Sequence, residues 1–281
     1  METYHSDLIT ARIHTTGFPK RELYNAIKEL LEKGEEYIEE KDSELGNFIW
    51  VFGDFDFIED INDGIIFGKL GKNREVNQKT RYDKKLKKFN KEITFESSDY
   101  SVSRFVISSQ TNTILFEEKK SKISQRQFVS IFTKMFNKYF DDLSSIKIDP
   151  VLETTQVFQW INKQDKLISV SFSLSPSNPS NEPDFKRLDE LLRETKTEAA
   201  RLFLENGHEG LNPESLIINQ AVRLSGAGYG NYSITGEENG KKTKLVSKDS
   251  IRRQALDSPN EDGQIKNRII QMLRSITNRQ K

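Results

Sequence analysis

The side chains with chemistry to offer are two sets of carboxylates and two runs of basic residues. Asp54 and Asp56 alternate along the apolar stretch from Phe48 to Ile58, with Asp60 and Asp63 close behind. Carboxylates two residues apart on a strand share a face and can hold a divalent cation through oxygen ligands. No spacing here matches a known cation loop. The pair therefore reads first as an acidic strand end in water, and no metal or other cofactor is expected. Asp99, Glu118 and Lys120 follow the sparse Asp…Glu-x-Lys order of restriction-type nucleases, in which two carboxylates bind Mg²⁺ and the lysine assists the attacking water. In a chain this charged, Glu-x-Lys also arises by chance, and Glu117-Glu118-Lys119-Lys120 leads straight into a turn.

The basic runs are the more useful signal. Lys69, Lys72, Arg74, Lys79, Arg81, Lys84, Lys85, Lys87 and Lys88 are interleaved with Tyr82 and Phe89. Lys241, Lys242, Lys244, Lys248, Arg252, Arg253, Lys266 and Arg268 form a second set near the C-terminus. Either can track a phosphate backbone. The alternative is a solvated face balanced by the acidic segment 29–63, which carries thirteen acidic residues against Lys33 and Lys41. No helix-turn-helix, zinc-finger or RNA-recognition aromatic signature accompanies them.

Other chemistry is absent. There is no cysteine, which excludes disulfides, thiol catalysis and cysteine-ligated metals. His5, His14 and His208 lack His-Glu-x-x-His spacing, and no serine sits in a Gly-x-Ser-x-Gly elbow. Gly226-Ala-Gly-Tyr-Gly230 is rich in glycine, but a phosphate-cradling loop follows a strand and opens a helix. Here a helix precedes and a strand follows, so a flexible lead-in to a hairpin is expected. No run approaches a membrane span, and the first residues do not resemble a signal peptide, so a cytoplasmic protein is expected.

These residues must be carried by elements, and the densest apolar patterning lies between Tyr100 and Leu174. Val102–Ser108 and Thr113–Glu118 read as strands. Ser124 and Gln127 fit a capping box, and Phe128, Ile131, Phe132, Met135, Phe136, Tyr139 and Phe140 follow helical spacing behind it. A strand over 146–152, a short helix over 155–162 and a strand over 167–174 complete a β-β-α-β-α-β order. Upstream, a strand over 8–15, a helix opened by Pro19 and a hairpin over 48–70 are expected. In that hairpin Ile49, Val51, Phe55 and Phe57 face one way, and Trp50, Phe52, Asp54 and Asp56 the other. Residues 71–91 read as an exposed excursion with at most a short edge strand.

Three prolines between Pro176 and Pro183 mark a linker. Beyond it the spacing of Phe185, Leu188, Leu191, Leu192, Ala199, Leu202 and Phe203 predicts one helix ending near Asn206-Gly207. A helix capped by Asn212, a hairpin through Asn239-Gly240 and a final helix over 264–277 follow. The expected class is α+β: a mixed or antiparallel sheet module with helices on one face over residues 1–175, a Pro/Ser linker over 176–183, and a helical region with a β-hairpin over 184–281.

Several landmarks together carry a resemblance: Asp63-Gly-Ile-Ile-Phe-Gly-Lys-Leu-Gly-Lys72, Val102–Ser108 leading to Ile114-Leu-Phe-Glu-Glu118, Ile123-Ser124, Ile168–Ser175 running into Pro176-Ser-Asn-Pro179, and the late glycine-rich hairpin. In these the chain resembles an uncharacterised bacterial family of similar length associated with phage defence and mobile elements. The resemblance implies a defence-associated sensor, binding or interaction protein and assigns no catalytic residue. The function expected is a non-enzymatic binding module that contacts nucleic acid, or a partner bound to it, through the basic runs. The alternatives are a metal-dependent nuclease using Asp99, Glu118 and Lys120, and a structural subunit of an oligomer.

Overall fold

A computed structural model describes residues 3–17, 22–39, 47–60, 63–74, 79–83, 88–92, 100–119, 121–141, 144–177, 183–259 and 261–278. In chain order its elements are β1 (Thr3–Thr16), α1 (Leu23–Lys33), β2 (Tyr37–Glu39), β3 (Phe48–Asp60), β4 (Asp63–Arg74), β5 (Lys79–Asp83), β6 (Lys88–Glu92), β7 (Ser101–Ser108), β8 (Thr113–Glu118), α2 (Gln125–Tyr139), β9 (Ser145–Pro150), α3 (Thr154–Lys163), β10 (Lys166–Leu174), α4 (Lys186–Glu194), β11 (Ala200–Glu205), α5 (Leu216–Leu224), β12 (Gly230–Glu238), β13 (Lys241–Val246), β14 (Arg253–Pro259) and α6 (Asp262–Asn278). The fold is α+β, and every strand pair among the described residues is antiparallel.

β1 pairs with three other strands of the larger sheet, whose order is β14-β1-β8-β7-β4-β3-β2 with β9 also on β1. One edge of β1 pairs with β8. Its other edge is shared, β14 taking residues 3–9 and β9 taking residues 11–16. Both faces of this sheet are covered. Ile9, Phe105, Ile107, Ile114 and Phe116 pack on one side under α1 and α2, while Leu8, Ile65, Phe67, Val106 and Leu115 pack on the other under α6. A strand buried on both faces carries a continuous apolar run rather than an alternating one, which is how β8 reads.

The capping box at α2 forms as expected: Gln127 N donates to Ser124 Oγ at 3.4 Å and Ser124 N donates to Gln127 Oε1 at 3.2 Å. The helix drops an aromatic stripe onto the sheet. Phe128 stacks on Phe116 with centroids 4.1 Å apart, and Phe132 meets Phe105 and Phe52 edge-on at 5.4 and 5.2 Å. Edge-to-face and offset pairs of this kind add to the burial energy of the rings.

The smaller sheet has the order β11-β10-β12-β13. Val170, Phe172, Leu174, Tyr232 and Ile234 point from it into a second core with α3, α4 and α5. β10 precedes the Pro-rich segment and pairs with β11 and β12 beyond it, while β14 returns to β1. Backbone pairing therefore crosses residues 176–183 in both directions, and of the expected linker 178–182 lie outside the described residues.

Four local expectations are corrected. The helix predicted over 185–206 stops at Glu194; Lys196 takes a positive φ of 51° and the chain continues as β11, where Ala200, Leu202 and Leu204 alternate inward with period two. α5 begins after Ser215 rather than Asn212, whose side chain instead accepts from Glu214 N at 2.9 Å in a turn. Part of the 71–91 excursion is the separate β5–β6 hairpin. A β-bulge between Gly53 and Asp56, with Asp54 at φ 47°, inserts one residue into β3. The bulge reverses the alternation, so Phe57 joins Trp50 and Phe52 in the α1–α2 core instead of siding with Ile49 and Val51.

Truncating the stripe tests this packing. Phe132→Ala should lower unfolding free energy in urea by about 3–5 kcal/mol, whereas Phe203→Ala, on an open surface, should change it by about 0.5 kcal/mol or less. Equal losses would contradict the assignment of inner and outer faces.

Candidate functional site

Three clusters of polar side chains stand out, each positioned by a different part of the fold. The first is a row of charges crossing the larger sheet beneath the start of α6. Register places Lys69 of β4 beside Arg104 of β7. Arg104 grips the fully buried Glu117 of β8 through Nη1 at 3.2 and 3.3 Å and through its backbone N at 3.0 Å. Asp262, the first residue of α6, accepts from Arg104 Nη2 at 2.7 Å and from Lys69 Nζ at 2.8 Å, and Lys69 also reaches Asp54 at 2.7 Å. One turn on, Lys266 pairs with Asp56. The hydrogen bond from Lys69 holds the Asp262 carboxyl below its ordinary range, burial opposing and Arg104 assisting. The hydrogen bond from Lys266 does the same for Asp56, with burial opposing. Burial pushes the Lys119 ammonium at the end of the row downward, with Arg104, Lys122 and Lys69 adding to the shift and Glu117 resisting it. A buried carboxylate paired with a guanidinium is stable only while both are present, so this row fastens α6 to the sheet.

The second cluster is the glycine-rich segment, which is not a loose lead-in. Ser225–Tyr229 continues α5 as a wide turn that docks between the sheets. Buried Arg12 of β1 donates to Thr111 O at 3.1 Å, Thr113 Oγ1 at 2.5 Å and Ala227 O at 3.5 Å, with its guanidinium 5.7 Å from the Tyr229 ring. His14 Nε2 donates to Gly228 O at 2.9 Å and stands 3.4 Å from Asp149. Leu152 N and Ser175 N donate to Gly226 O and Tyr229 O, both at 2.9 Å. Gly228 has φ +87°, and a Cβ on it would lie 2.7 Å from Arg12 Cγ; one on Gly226 would lie 2.0 Å from Thr154 Cγ2.

The third cluster is the outer face of the smaller sheet. β10 and β12 send apolar side chains inward and small polar ones outward: Ser169, Ser171 and Ser173 on β10, Asn231, Ser233 and Thr235 on β12. Register aligns Phe203, Ser171, Ser233 and Val246 in one row across all four strands. Phe203 is 62% exposed. Arg201, Lys242 and Lys244 project from the same face, and Glu205 and Glu237 share it. The side chains of Ser171, Ser233 and Asn231 bond no described residue.

The residues expected from sequence are distributed unevenly over these places. Lys242 and Lys244 lie on the open face; Lys241 is exposed on the opposite side of β13. Arg253 pairs with Glu118 at 2.8 Å and Arg252 stands 3.9 Å from Glu153. Glu118 also accepts from Gln125 N at 3.2 Å, so it caps α2. Asp99 and Lys120 lie outside the described residues. Lys72 lies over the rings of Phe48 and Trp50 at 4.3 and 5.3 Å. Lys84, Lys85 and Lys87 are outside the described residues, as are the side chains of Arg74, Lys79, Arg81 and Lys88. Asp54 and Asp56 are drawn to different lysines. No three His, Asp or Glu side chains gather around a common point among the described residues. Sequence reasoning missed Phe203, Arg201 and the serine rows. The signal was present in the strict alternation Ser-Val-Ser-Phe-Ser-Leu over 169–174 and Asn-Tyr-Ser-Ile-Thr over 231–235.

These elements define an antiparallel α+β protein whose larger sheet is covered on both faces and whose four-stranded sheet is open on one, beside the two-stranded β5–β6 pair. The chain belongs to the family described as a domain of unknown function, DUF4747, which matches residues 12–274 and so takes in both sheets and the turn between them. No curated protein matches it. None of the described helices is long and apolar enough to cross a membrane.

Two stability measurements follow. Because Asp262 is held below the ordinary value of 3.8 when folded, its contribution is present above that value and lost as pH falls through the depressed one. Asp262→Asn should therefore melt earlier than wild type at about pH 7, and the two melting curves should converge on acidification; a constant gap would contradict the linkage. Gly228→Ala should cost about 2 kcal/mol or more in urea unfolding, through strain at positive φ and the clash with Arg12.

Proposed function

We propose that this protein is a non-enzymatic nucleic-acid-binding module whose contact surface is the open face of the smaller sheet. The observation that carries this reading is the exposed Phe203 ring set in a field of small hydroxyl side chains, with Arg201, Lys242 and Lys244 around it. An aromatic ring offers a stacking surface, lysine and arginine neutralise phosphates, and small polar groups on a sheet bond what lies flat against them. The β5–β6 hairpin, which carries Lys79, Arg81 and Lys88 of the other basic run, is a second contact in this reading. A cytoplasmic role in phage defence or mobile-element biology, with a protein partner or self-association, is the biological setting that the sequence landmarks support.

Each phosphate contact contributes about 0.7–0.9 to the slope of log affinity against log salt. Wild type should lose affinity steeply with salt, and Lys242→Glu with Lys244→Glu should weaken binding and reduce the slope by about 1.5. A salt-independent response in fluorescence anisotropy, or an unchanged slope in the double variant, contradicts the assignment.

A further inference from the structure

We propose that the open face of the smaller sheet is a platform for single-stranded RNA, with Phe203 as the stacking ring. This rests on the nucleic-acid reading above and narrows it to a substrate class. The row from Phe203 through Ser171 and Ser233 to Val246 crosses four strands. At about 4.8 Å per strand it is roughly 14 Å long. A four-stranded sheet of this kind accommodates about two or three splayed bases. The ring lies on an edge strand and is 62% exposed, so a base face can reach it. In a duplex that face is occupied by the neighbouring base, which selects for an unpaired strand.

The central residues favour ribose. Serine, threonine and asparagine are too short to enter a groove, and they bond only groups that lie on the sheet. The 2′-hydroxyl both donates and accepts, and it is the group that separates RNA from DNA at a given site. Ser171, Ser233 and Asn231 are hydroxyl and amide groups uncommitted to any described residue. Phosphates are served from the margins: Lys244 flanks the row on one side and Arg201 on the other, at opposite edges of the sheet. Glu205 and Glu237 share the face. The cations at Arg201, Lys242 and Lys244 therefore give the affinity its salt dependence, and stacking and hydroxyl contacts add a share that salt does not remove.

The test uses the full chain and a labelled, unstructured twelve-nucleotide RNA, the DNA of the same sequence, and the corresponding duplex, each titrated by fluorescence anisotropy at one fixed salt. The RNA should bind about fivefold tighter than the single-stranded DNA, as one additional hydrogen bond provides, and the duplex should bind most weakly. Phe203→Ala should weaken RNA binding by about tenfold, and Phe203→Trp should restore it. Ser233→Asp, which places a carboxylate in the middle of the row, should weaken it as well, with unchanged circular dichroism confirming that both variants fold. If RNA and DNA bind equally, if the duplex binds best, or if Phe203→Ala binds like wild type, the RNA platform is overturned while a nucleic-acid module acting through another surface stands. If none of the three probes binds, both readings are overturned.

Discussion

A buried guanidinium ties the larger sheet to the turn that leads into the smaller one. Arg12 sits in the middle of the longest strand, 7% exposed, and spends its donors on carbonyl and hydroxyl oxygens from the β7–β8 turn and from the Ser225–Tyr229 turn. Hydrogen bonds made by an ionised donor are worth about 1.5–3 kcal/mol each, and a buried arginine without acceptors is far less favourable than one with them. The geometry is permissive only because the turn carries no side chain at 226 or 228. The small sheet hangs from that turn: β12 starts at Gly230, directly after it, and Ser175, at the end of β10, bonds Tyr229. Arg12, with the His14, Leu152 and Ser175 bonds to the same turn, thus fixes how the smaller sheet leaves the larger one.

Charge is largely balanced within the larger sheet and less so on the open face. The chain is neutral overall with 43 basic and 43 acidic residues, so its local excesses can be consumed internally. Arg104 and Lys69 are absorbed by Glu117, Asp54 and Asp262; Lys266 is absorbed by Asp56 and Arg253 by Glu118. These pairs tie α6 and β14 onto the sheet. Arg201, Lys242 and Lys244 form no ion pair with a described residue, and they border the small polar side chains of the open face.

What sequence patterning conveyed was mostly local. α2 was legible because its capping box and its apolar stripe point to one answer. The β1, β7 and β8 strands were legible from apolar runs. The charged row was not, since Lys69, Arg104, Glu117 and Asp262 come from four elements and meet only through strand register. The bulge at Asp54 was invisible because one inserted residue changes parity without changing composition. α4 and β11 were merged because Leu188, Leu192, Ala199, Leu202 and Phe203 satisfy helical spacing by accident; the turn at Lys196 carries no glycine or proline to announce it. Asp54 and Asp56 looked like a carboxylate pair, and each is instead neutralised by a lysine distant in the chain.

Photochemical cross-linking tests most directly whether RNA lies on the open face of the smaller sheet. Short-wavelength irradiation of the protein with bound RNA, followed by peptide mass mapping, is predicted to place cross-links within β11 at Phe203 and within β12. Cross-links confined to the β5–β6 hairpin or to α6, or none at all, would contradict it.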